Sequence, residues 1–157
     1  MHIIFLKSKV KDAEDIIRVR ADAFYDEVKR YGHGPSVFDS IEKERKFILG
    51  ENDRTYSYII KCKNEIIGGM AVEDLGEGTY YLGCIFVKKE YQNYGIGSMM
   101  LRFLEKKFID AKKWTLETPY LSFRNQHFYE KNGYKKIGES EKSKDGFYQY
   151  QYEKVIS

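Results

Sequence analysis

Two glycines, one residue apart, lie where a strongly apolar stretch gives way to a helical pattern. The segment reads Val87-Lys88-Lys89-Glu90-Tyr91-Gln92-Asn93-Tyr94-Gly95-Ile96-Gly97-Ser98. Glycine lets the backbone approach a ligand closely, and the first N–H groups of a helix have no partner inside the helix. These groups and the helix dipole favour an anion, with about 0.3–1 kcal/mol per charge from the dipole. The pattern therefore predicts an anion-binding loop at the start of a helix.

Two common phosphate loops do not fit this segment. The Walker pattern requires Gly-Lys-Ser/Thr, whereas Gly97 is followed by Ser98 and Met99. The dinucleotide pattern requires a third glycine where Met100 stands, and it also requires an all-parallel sheet. What remains is Gln-x-x-Gly-x-Gly, beginning at Gln92, after a buried strand.

Hydrophobic periodicity predicts helices on both sides of this segment. The first covers residues 12–31, with a stripe of apolar residues at helical spacing: Ala13, Ile17, Ala21, Phe24 and Val28. A second helix follows a Gly/Pro loop, with Asp39 and Glu42 spaced as a capping box and Gly50 at its end. The third contains Ile96 and ends near Phe108. The fourth extends from an N-cap at Ser122 to Asn132.

Seven segments have the composition of strands, namely residues 2–6, 56–62, 65–73, 79–87, 114–118, 134–137 and 147–152. The turn signals Lys63-Asn64, Gly76/Gly78 and Asp145-Gly146 predict antiparallel neighbours. The strand–helix–strand unit over residues 79–118 predicts a parallel pair. Strands 2–6 and 79–87 are predicted to be buried, the latter on both faces because it is almost continuously apolar. The fold class is therefore α/β, with a mixed sheet covered by helices.

Length and composition exclude several classes of protein. The 157 residues fit one domain, and 42% hydrophobic against 32% charged residues indicate a globular chain. A net charge of +3 with scattered lysines argues against a nucleic-acid partner. No apolar run has the ~18–20 residues of a membrane span, no signal sequence is evident, and the three histidines lack metal-ligand spacing. Two cysteines indicate no disulfide framework and a reducing, cytoplasmic location.

Two segments together carry a resemblance to a known family. Gln92-Asn93-Tyr94-Gly95-Ile96-Gly97 resembles the acetyl-CoA pyrophosphate loop of the GNAT superfamily of N-acetyltransferases. Asn125-Gln126-His127-Phe128-Tyr129-Glu130-Lys131-Asn132-Gly133-Tyr134 is similar to a second segment typical of that family. The resemblance implies one GNAT domain over residues 1–157. Its fold is expected to have a mostly antiparallel central sheet with a parallel splayed pair, flanked by helices.

The resemblance also implies a coenzyme site. Backbone groups of Ile85, Phe86 and Val87 are expected to bind the pantetheine arm, with one amide, taken to be that of Val87, polarising the thioester carbonyl. The pyrophosphate is expected to contact Gln92, Asn93, Tyr94, Gly95, Ile96, Gly97 and Ser98. Family members often carry an asparagine where this chain has Ser122. Either Ser122 or Asn125, which lies one helical turn before Tyr129, could contact the coenzyme, and Asn125 is the predicted contact.

Tyr129 matches the family tyrosine that protonates the departing thiolate. A tyrosine with a pKa of ~10 keeps its proton at neutral pH, whereas a thiol ionises near ~8.5. The proton acceptor is less defined: Glu117 is the prediction, with Glu73 or a water chain as alternatives. Cys84 is not taken as a nucleophile, because a buried cysteine is usually inert.

The implied activity is transfer of acetyl from acetyl-CoA to a primary amine of a small molecule or peptide, without a metal. The resemblance is also compatible with a homodimer. Acceptor specificity is expected from the loop at residues 31–38, including Tyr31, His33 and Phe38, from the helix that follows it, and from the final hairpin with Tyr148, Tyr150 and Tyr152. The alternative is a catalytically silent CoA-binding sensor or assembly module of the same fold. A different nucleotide-binding α/β protein is a third reading. The presence of Tyr129 favours the enzyme.

Overall fold

A computed structural model describes residues 2–32, 40–50 and 53–157. Within these ranges the chain forms seven strands and four α-helices, joined in places by short 3-10 turns. The elements in chain order are β1 (Ile4–Lys7), α1 (Ala13–Tyr31), α2 (Ile41–Leu49), β2 (Thr55–Cys62), β3 (Glu65–Gly76), β4 (Thr79–Val87), α3 (Ile96–Lys107), β5 (Lys113–Pro119), α4 (Phe123–Lys131), β6 (Lys135–Glu139) and β7 (Gln149–Val155). This order of strands and α-helices is the predicted one.

One seven-stranded sheet has the order β1-β2-β3-β4-β5-β7-β6. All neighbouring strands are antiparallel except β4 and β5, which are parallel. These two strands pair only through Thr79↔Lys113, Tyr80↔Trp114 and Tyr81↔Thr115. Beyond these pairs they diverge and leave a gap inside the sheet. The predicted mixed sheet with a splayed parallel pair is therefore confirmed.

Helices cover both faces of the sheet. The larger core joins α3 and α4 to the sheet and includes Met100, Leu104, Trp114, Leu116 and Tyr152. A smaller core lies on the other face, where α1 packs against β3 and β4 and Ile59 of β2 joins the cluster. The cores meet β4 on opposite sides, so this strand carries side chains for both.

A β-bulge in β4 changes the side on which its residues point. Ala71 pairs with Cys84 while Val72 pairs with Leu82, so Gly83 is the extra residue. A bulge breaks the strict alternation of a strand. Leu82 therefore belongs to the core under α3, whereas Cys84 and Phe86 belong to the core under α1.

The inward face of α1 differs from the predicted stripe. Ala13 is buried and Phe24 packs against the core as predicted, but Ala21 is exposed and Val28 is 46% exposed. The helix also buries Ile16, Val19 and Arg20. The stripe is therefore confirmed only in part, because the inward face also carries charged residues, which an apolar pattern cannot detect. Arg20 is one of them, and its Nη2 donates to Oε1 of the buried Glu44 of α2 at 2.5 Å.

Two strands are less buried than predicted. Ile4 and Leu6 are 44% and 42% exposed because β1 is an edge strand of the sheet. In β4, fully buried residues alternate with half-buried ones, so the strand is not enclosed on both faces. Because of the bulge, the half-buried residues lie on one face before Gly83 and on the other face after it.

The predicted ends of α2 are confirmed at one end and corrected at the other. The helix ends at Gly50, which is left-handed with φ 66°. Ser40 is the N-cap, and its hydroxyl accepts the N–H of Lys43 at 3.2 Å. Asp39, the cap predicted from the sequence, lies outside the described residues.

Candidate active site

A cleft of about 1110 Å³ opens where β4 and β5 diverge. Its walls come from α1, the end of β4, the following loop, the start of α3, and α4. Most predicted site residues line it, namely Ile85, Phe86, Val87, Gln92, Asn93, Gly95, Ile96, Gly97, Ser98, Asn125 and Tyr129. Tyr94 and Glu117 are not among the lining residues. Tyr94 is 64% exposed.

The loop before α3 turns sharply through two left-handed residues. Asn93 has φ 70° and Gly95 has φ 78°. The N–H of Met99 is bonded to the carbonyl of Gly95 at 3.2 Å, which begins the helical ladder. The N–H groups of the preceding residues Ile96, Gly97 and Ser98 therefore have no acceptor in the helix, and all three residues line the cleft. This donor set suits a phosphate.

Gly97 allows α3 and α4 to pack closely. A Cβ at Gly97 would lie 2.9 Å from the ring of Phe128, closer than real Cβ contacts come. Asn132 adds a polar link, because its Nδ2 donates to Ser98 Oγ at 3.2 Å and to the Phe128 carbonyl at 2.8 Å. The two family-like segments of the sequence are therefore in direct contact.

A chain of hydrogen bonds links the end of β4, the loop before α3 and the start of α4. Gln92 Nε2 donates to the Val87 carbonyl at 2.8 Å, and Arg124 Nη1 donates to Gln92 Oε1 at 2.5 Å. Arg124 Nη2 also reaches Asn93 Oδ1 at 3.5 Å. Arg124 is not predicted from the sequence, since nothing in its local pattern indicates a contact across the cleft.

Helix α1 is also tied to this loop. Asp22 accepts the backbone N–H of Lys89 at 2.9 Å, and Asp26 forms an ion pair with the Lys89 ammonium at 2.7 Å. These contacts place the C-terminal half of α1 along one wall of the cleft.

The end of β4 presents an unpaired backbone N–H to the gap. The N–H of Lys88 donates to the Ile67 carbonyl of β3 at 2.6 Å. Because consecutive residues of a strand direct their backbone groups to opposite edges, the N–H of Val87 points away from β3. Beyond Tyr81 no described residue of β5 pairs with that edge. The Val87 N–H is thus free to donate to a group in the gap.

Tyr129 is buried, and its ring contacts those of Phe128, Tyr134 and Tyr152 at centroid distances of 5.1, 5.7 and 6.3 Å. Burial, with a smaller contribution from Cys84, raises its pKa far above the usual value. Tyr129 lines the cleft and keeps its proton at neutral pH.

Two carboxylates have different positions relative to the cleft. Glu117 accepts the Tyr81 hydroxyl at 3.5 Å; burial and this neighbouring carboxylate raise the pKa of Tyr81 to about 12. Glu27 of α1 lines the cleft and is half-buried. Burial raises its pKa, while a hydrogen bond with Ser122 and the charge of Arg124 oppose the rise. The sequence analysis missed Glu27; correct phasing of α1 would have indicated it, because it follows Phe24 on the inward face.

Only some of the residues predicted for acceptor specificity lie at the cleft. Tyr31 lines the cleft, while His33 and Phe38 lie outside the described residues. Tyr148 stacks on Tyr120, with the two ring centroids 4.3 Å apart, and neither residue lines the cleft. Tyr152 is buried and donates to Glu130 at 2.8 Å, which gives it a structural role.

Cys84 is buried beneath the gap. Burial raises the pKa of its thiol to about 12. The thiolate, which is the reactive form of cysteine, is therefore scarce at neutral pH.

The comparisons with known proteins agree with this geometry. A family model described as "Acetyltransferase (GNAT) domain" matches residues 53–136, more than half of the chain. The chain therefore belongs to the GNAT family of acetyltransferases. No curated protein sequence matches it. Within the described residues, no helix combines the length and the apolar character needed to cross a membrane.

Solved structures share the fold at low sequence identity. The PaiA N-acetyltransferase from Thermoplasma acidophilum, solved in complex with coenzyme A, is 18% identical, with a TM-score of 0.77 over 99% of this chain and 100% of that one. A ribosomal-protein alanine N-acetyltransferase from Escherichia coli is 14% identical, with a TM-score of 0.76 over 99% and 95%. A Salmonella typhimurium acetyl transferase that modifies the N-terminal serine of a 50S ribosomal subunit protein is 15% identical, with a TM-score of 0.79 over 99% and 95%.

Proposed function

We propose that this protein transfers the acetyl group of acetyl-CoA to a primary amine on a small molecule or peptide. The observation that carries the proposal is the convergence of three features in one cleft. These are the unpaired edge of β4 at Val87, the helix N-terminus at Gly95–Ser98, and the protonated Tyr129. The structures that share this fold include one with bound coenzyme A and two proteins that modify ribosomal proteins.

The residues of the loop suit the phosphates of the coenzyme. The N–H groups of Ile96, Gly97 and Ser98 supply donors, and Asn125 lies on the same wall. Arg124 and Lys131 add positive charge to that wall. The pantetheine arm is an extended chain with amide groups, so the free edge of β4 at Ile85 and Val87 matches its hydrogen-bonding needs. The thioester supplies an activated acetyl group.

Two groups of the protein act on the thioester. The Val87 N–H donates to the carbonyl oxygen and stabilises the negative charge that develops when the amine attacks. Tyr129 donates its proton to the sulfur as the carbon–sulfur bond breaks. The two free cysteines, Cys62 and Cys84, fit a reducing compartment such as the cytoplasm.

A thiol-release assay tests the proposal. Purified protein is incubated with acetyl-CoA and a panel of alkylamines, aminoglycosides, amino acids and N-terminal peptides, and free CoA is measured. We expect release that depends on both the protein and an amine, together with acetyl-CoA binding by calorimetry. Stoichiometric binding without release for every amine would instead support a silent CoA-binding module.

A further inference from the structure

The cleft wall formed by α1 carries a carboxylate where helical spacing places an apolar residue. Ala23 and Phe24 are half-buried on the inward face, and Glu27 follows them one turn later on the same face. Burying a carboxylate is unfavourable, and its contacts with Ser122 and Arg124 offset that cost only in part, because the pKa of Glu27 is still raised. A carboxylate on this wall is therefore a candidate for a role in the cleft.

The surroundings of Glu27 are otherwise basic or neutral. Ser122 and Arg124 face it from the start of α4, and Tyr129 is near enough for Glu27 to raise the pKa of its hydroxyl. The only other described carboxylate on the lining is Asp26, which is held by Lys89. The basic residues of the lining are Lys29, Arg30, Lys89, Arg124, His127 and Lys131. Glu27 is thus the carboxylate available to a cation inside the cleft.

We infer that Glu27 binds the ammonium group of the acceptor and takes the proton that must leave before the nitrogen can attack. This inference rests on the proposed function. It names the acceptor class, a protonated alkylamine, and it assigns the proton acceptor to α1. Glu27 and Tyr129 line the same cleft, so the base and the acid face one cavity.

The proton balance is complete with these two groups. The ammonium gives one proton to the Glu27 carboxylate, and the neutral nitrogen then forms a bond to the thioester carbon. The carbon–sulfur bond breaks, and its electron pair goes to sulfur, which takes the Tyr129 proton. Tyr129 recovers a proton from the nitrogen, and Glu27 releases its proton to water. The net products are the acetamide, CoA thiol and one proton.

Glu117, the acceptor predicted from the sequence, is less well placed for this role. It lies beyond Thr115, the last residue of β5 that pairs with β4, but it does not line the cleft, and its carboxylate accepts the Tyr81 hydroxyl. Burial raises the pKa of Glu27, which brings it closer to that of an alkylammonium, ~10. Proton transfer to Glu27 is correspondingly less uphill.

The test compares the pH dependence of kcat/KM for Glu27→Gln and the parent, with benzylamine and other alkylamines as acceptors. We expect the parent rate to level off above the pKa of Glu27. The kcat/KM of the variant should fall by about 10²-fold or more at neutral pH, the effect of losing a general base, and should recover as the pH approaches the amine pKa of ~10. With aniline as the acceptor, which is neutral at pH 7, the substitution should lower kcat/KM much less. Calorimetry should show unchanged acetyl-CoA affinity.

The controls separate this role from three others. Glu14→Gln removes an exposed carboxylate from the other end of α1 and should leave the profile unchanged. Parallel profiles for Glu27→Gln and the parent, or a lower melting temperature alone, would reduce Glu27 to an anchor between α1 and α4. Weaker acetyl-CoA binding would make it a coenzyme contact, and a shifted profile only in Glu117→Gln would return the role to Glu117. Each of these results would overturn the role inferred for Glu27, while thiol release by the parent would still support the proposed acetyltransferase activity. If the parent releases no thiol, the proposed function fails and the inference falls with it.

Discussion

At the scale of single residues, the site depends on which groups keep or lose a proton. Tyr129 holds its proton because burial disfavours the tyrosinate, so the proton is present when the thiolate leaves, although the raised pKa makes the hydroxyl a weaker acid. Cys84, beneath the gap, keeps its proton for the same reason and is therefore a poor nucleophile. One physical cause, desolvation, gives these two side chains their chemical roles.

Replacing Tyr129 with phenylalanine removes the hydroxyl and keeps the ring contacts. We expect turnover to fall by up to the ~10²–10⁴-fold typical of acid–base groups, since sulfur loses its proton donor. Acetyl-CoA affinity and the melting temperature should change little, because no described residue hydrogen-bonds the hydroxyl. Single-turnover kinetics measure the effect. A variant as fast as the parent would show that Tyr129 only packs against its aromatic neighbours.

Gly95 allows the charge at the loop to be tested separately from its shape. Its left-handed φ of 78° penalises any side chain, but a Cβ there meets nothing within 4 Å. Asn and Asp have similar size and tolerate this conformation comparably. We expect Gly95→Asp to bind acetyl-CoA at least about tenfold more weakly than Gly95→Asn, about 1.4 kcal/mol by calorimetry, because only Asp repels the pyrophosphate. Equal affinities would argue against phosphate binding at this loop.

At the scale of elements, helices α1 and α2 are joined by charge inside an apolar core. Arg20 is buried against Glu44, and its guanidinium also lies 5.7 Å from the ring centroid of Phe86. A buried pair adds little over an apolar pair of similar size, but breaking it strands a charge. The pair therefore fixes how α2 sits on α1.

A double-variant experiment tests this link. Arg20→Met leaves Glu44 buried and unpaired, and we expect a loss of about 3–5 kcal/mol in the free energy of unfolding. Adding Glu44→Leu should restore much of that loss, because no buried charge remains. Urea unfolding measures both variants. If the double variant were no more stable than the single one, packing by Arg20, and not its charge, would be the source of stability.

The sequence predicted those parts of the fold and site that depend on local pattern. The loop around Gly95 and Gly97 could be identified because glycines, a preceding apolar strand and a following helix are adjacent in the chain. Glu27 and Arg124 were missed because their roles depend on α1 and α4 meeting across the cleft, which no local pattern encodes. The inward face of α1 was predicted only in part for a related reason: Arg20 and Glu27 occupy it, and hydrophobic periodicity counts charged residues as exposed. The assignment of Glu117 followed from its strand, whereas its side chain faces Tyr81.

At the scale of the whole molecule, tyrosine burial makes stability depend on alkaline pH. Burial is the main cause that raises the pKa of Tyr80, Tyr81, Tyr129, Tyr134 and Tyr152. For Tyr80 and Tyr152, hydrogen bonds to Asp110 and Glu130 add to the rise. The unfolded chain ionises these groups near pH ~10, whereas the folded chain retains their protons.

The folded protein should therefore lose stability steeply as pH rises. Above pH ~10 the native state binds more protons than the unfolded state, so each such tyrosine removes up to ~1.4 kcal/mol per pH unit. Below pH ~10 their contribution is fully present. Urea unfolding at several pH values between about 8 and 11 measures the slope. Tyr129→Phe should show a shallower decline, and a flat profile would contradict the assigned burial effects.

The gap between β4 and β5 gives this sheet four edges. Two are the outer edges at β1 and β6, and two are the inner edges of β4 and β5 where these strands no longer pair. An outer edge can pair with any chain that reaches it, which is why exposed edges promote aggregation. The inner edge of β4 lines the cleft between α1 and α4, so a chain that pairs with it must lie between these two helices. A thin, extended chain meets that requirement. The architecture thus keeps the pairing capacity of a β-edge and directs it to ligands about as narrow as a single strand.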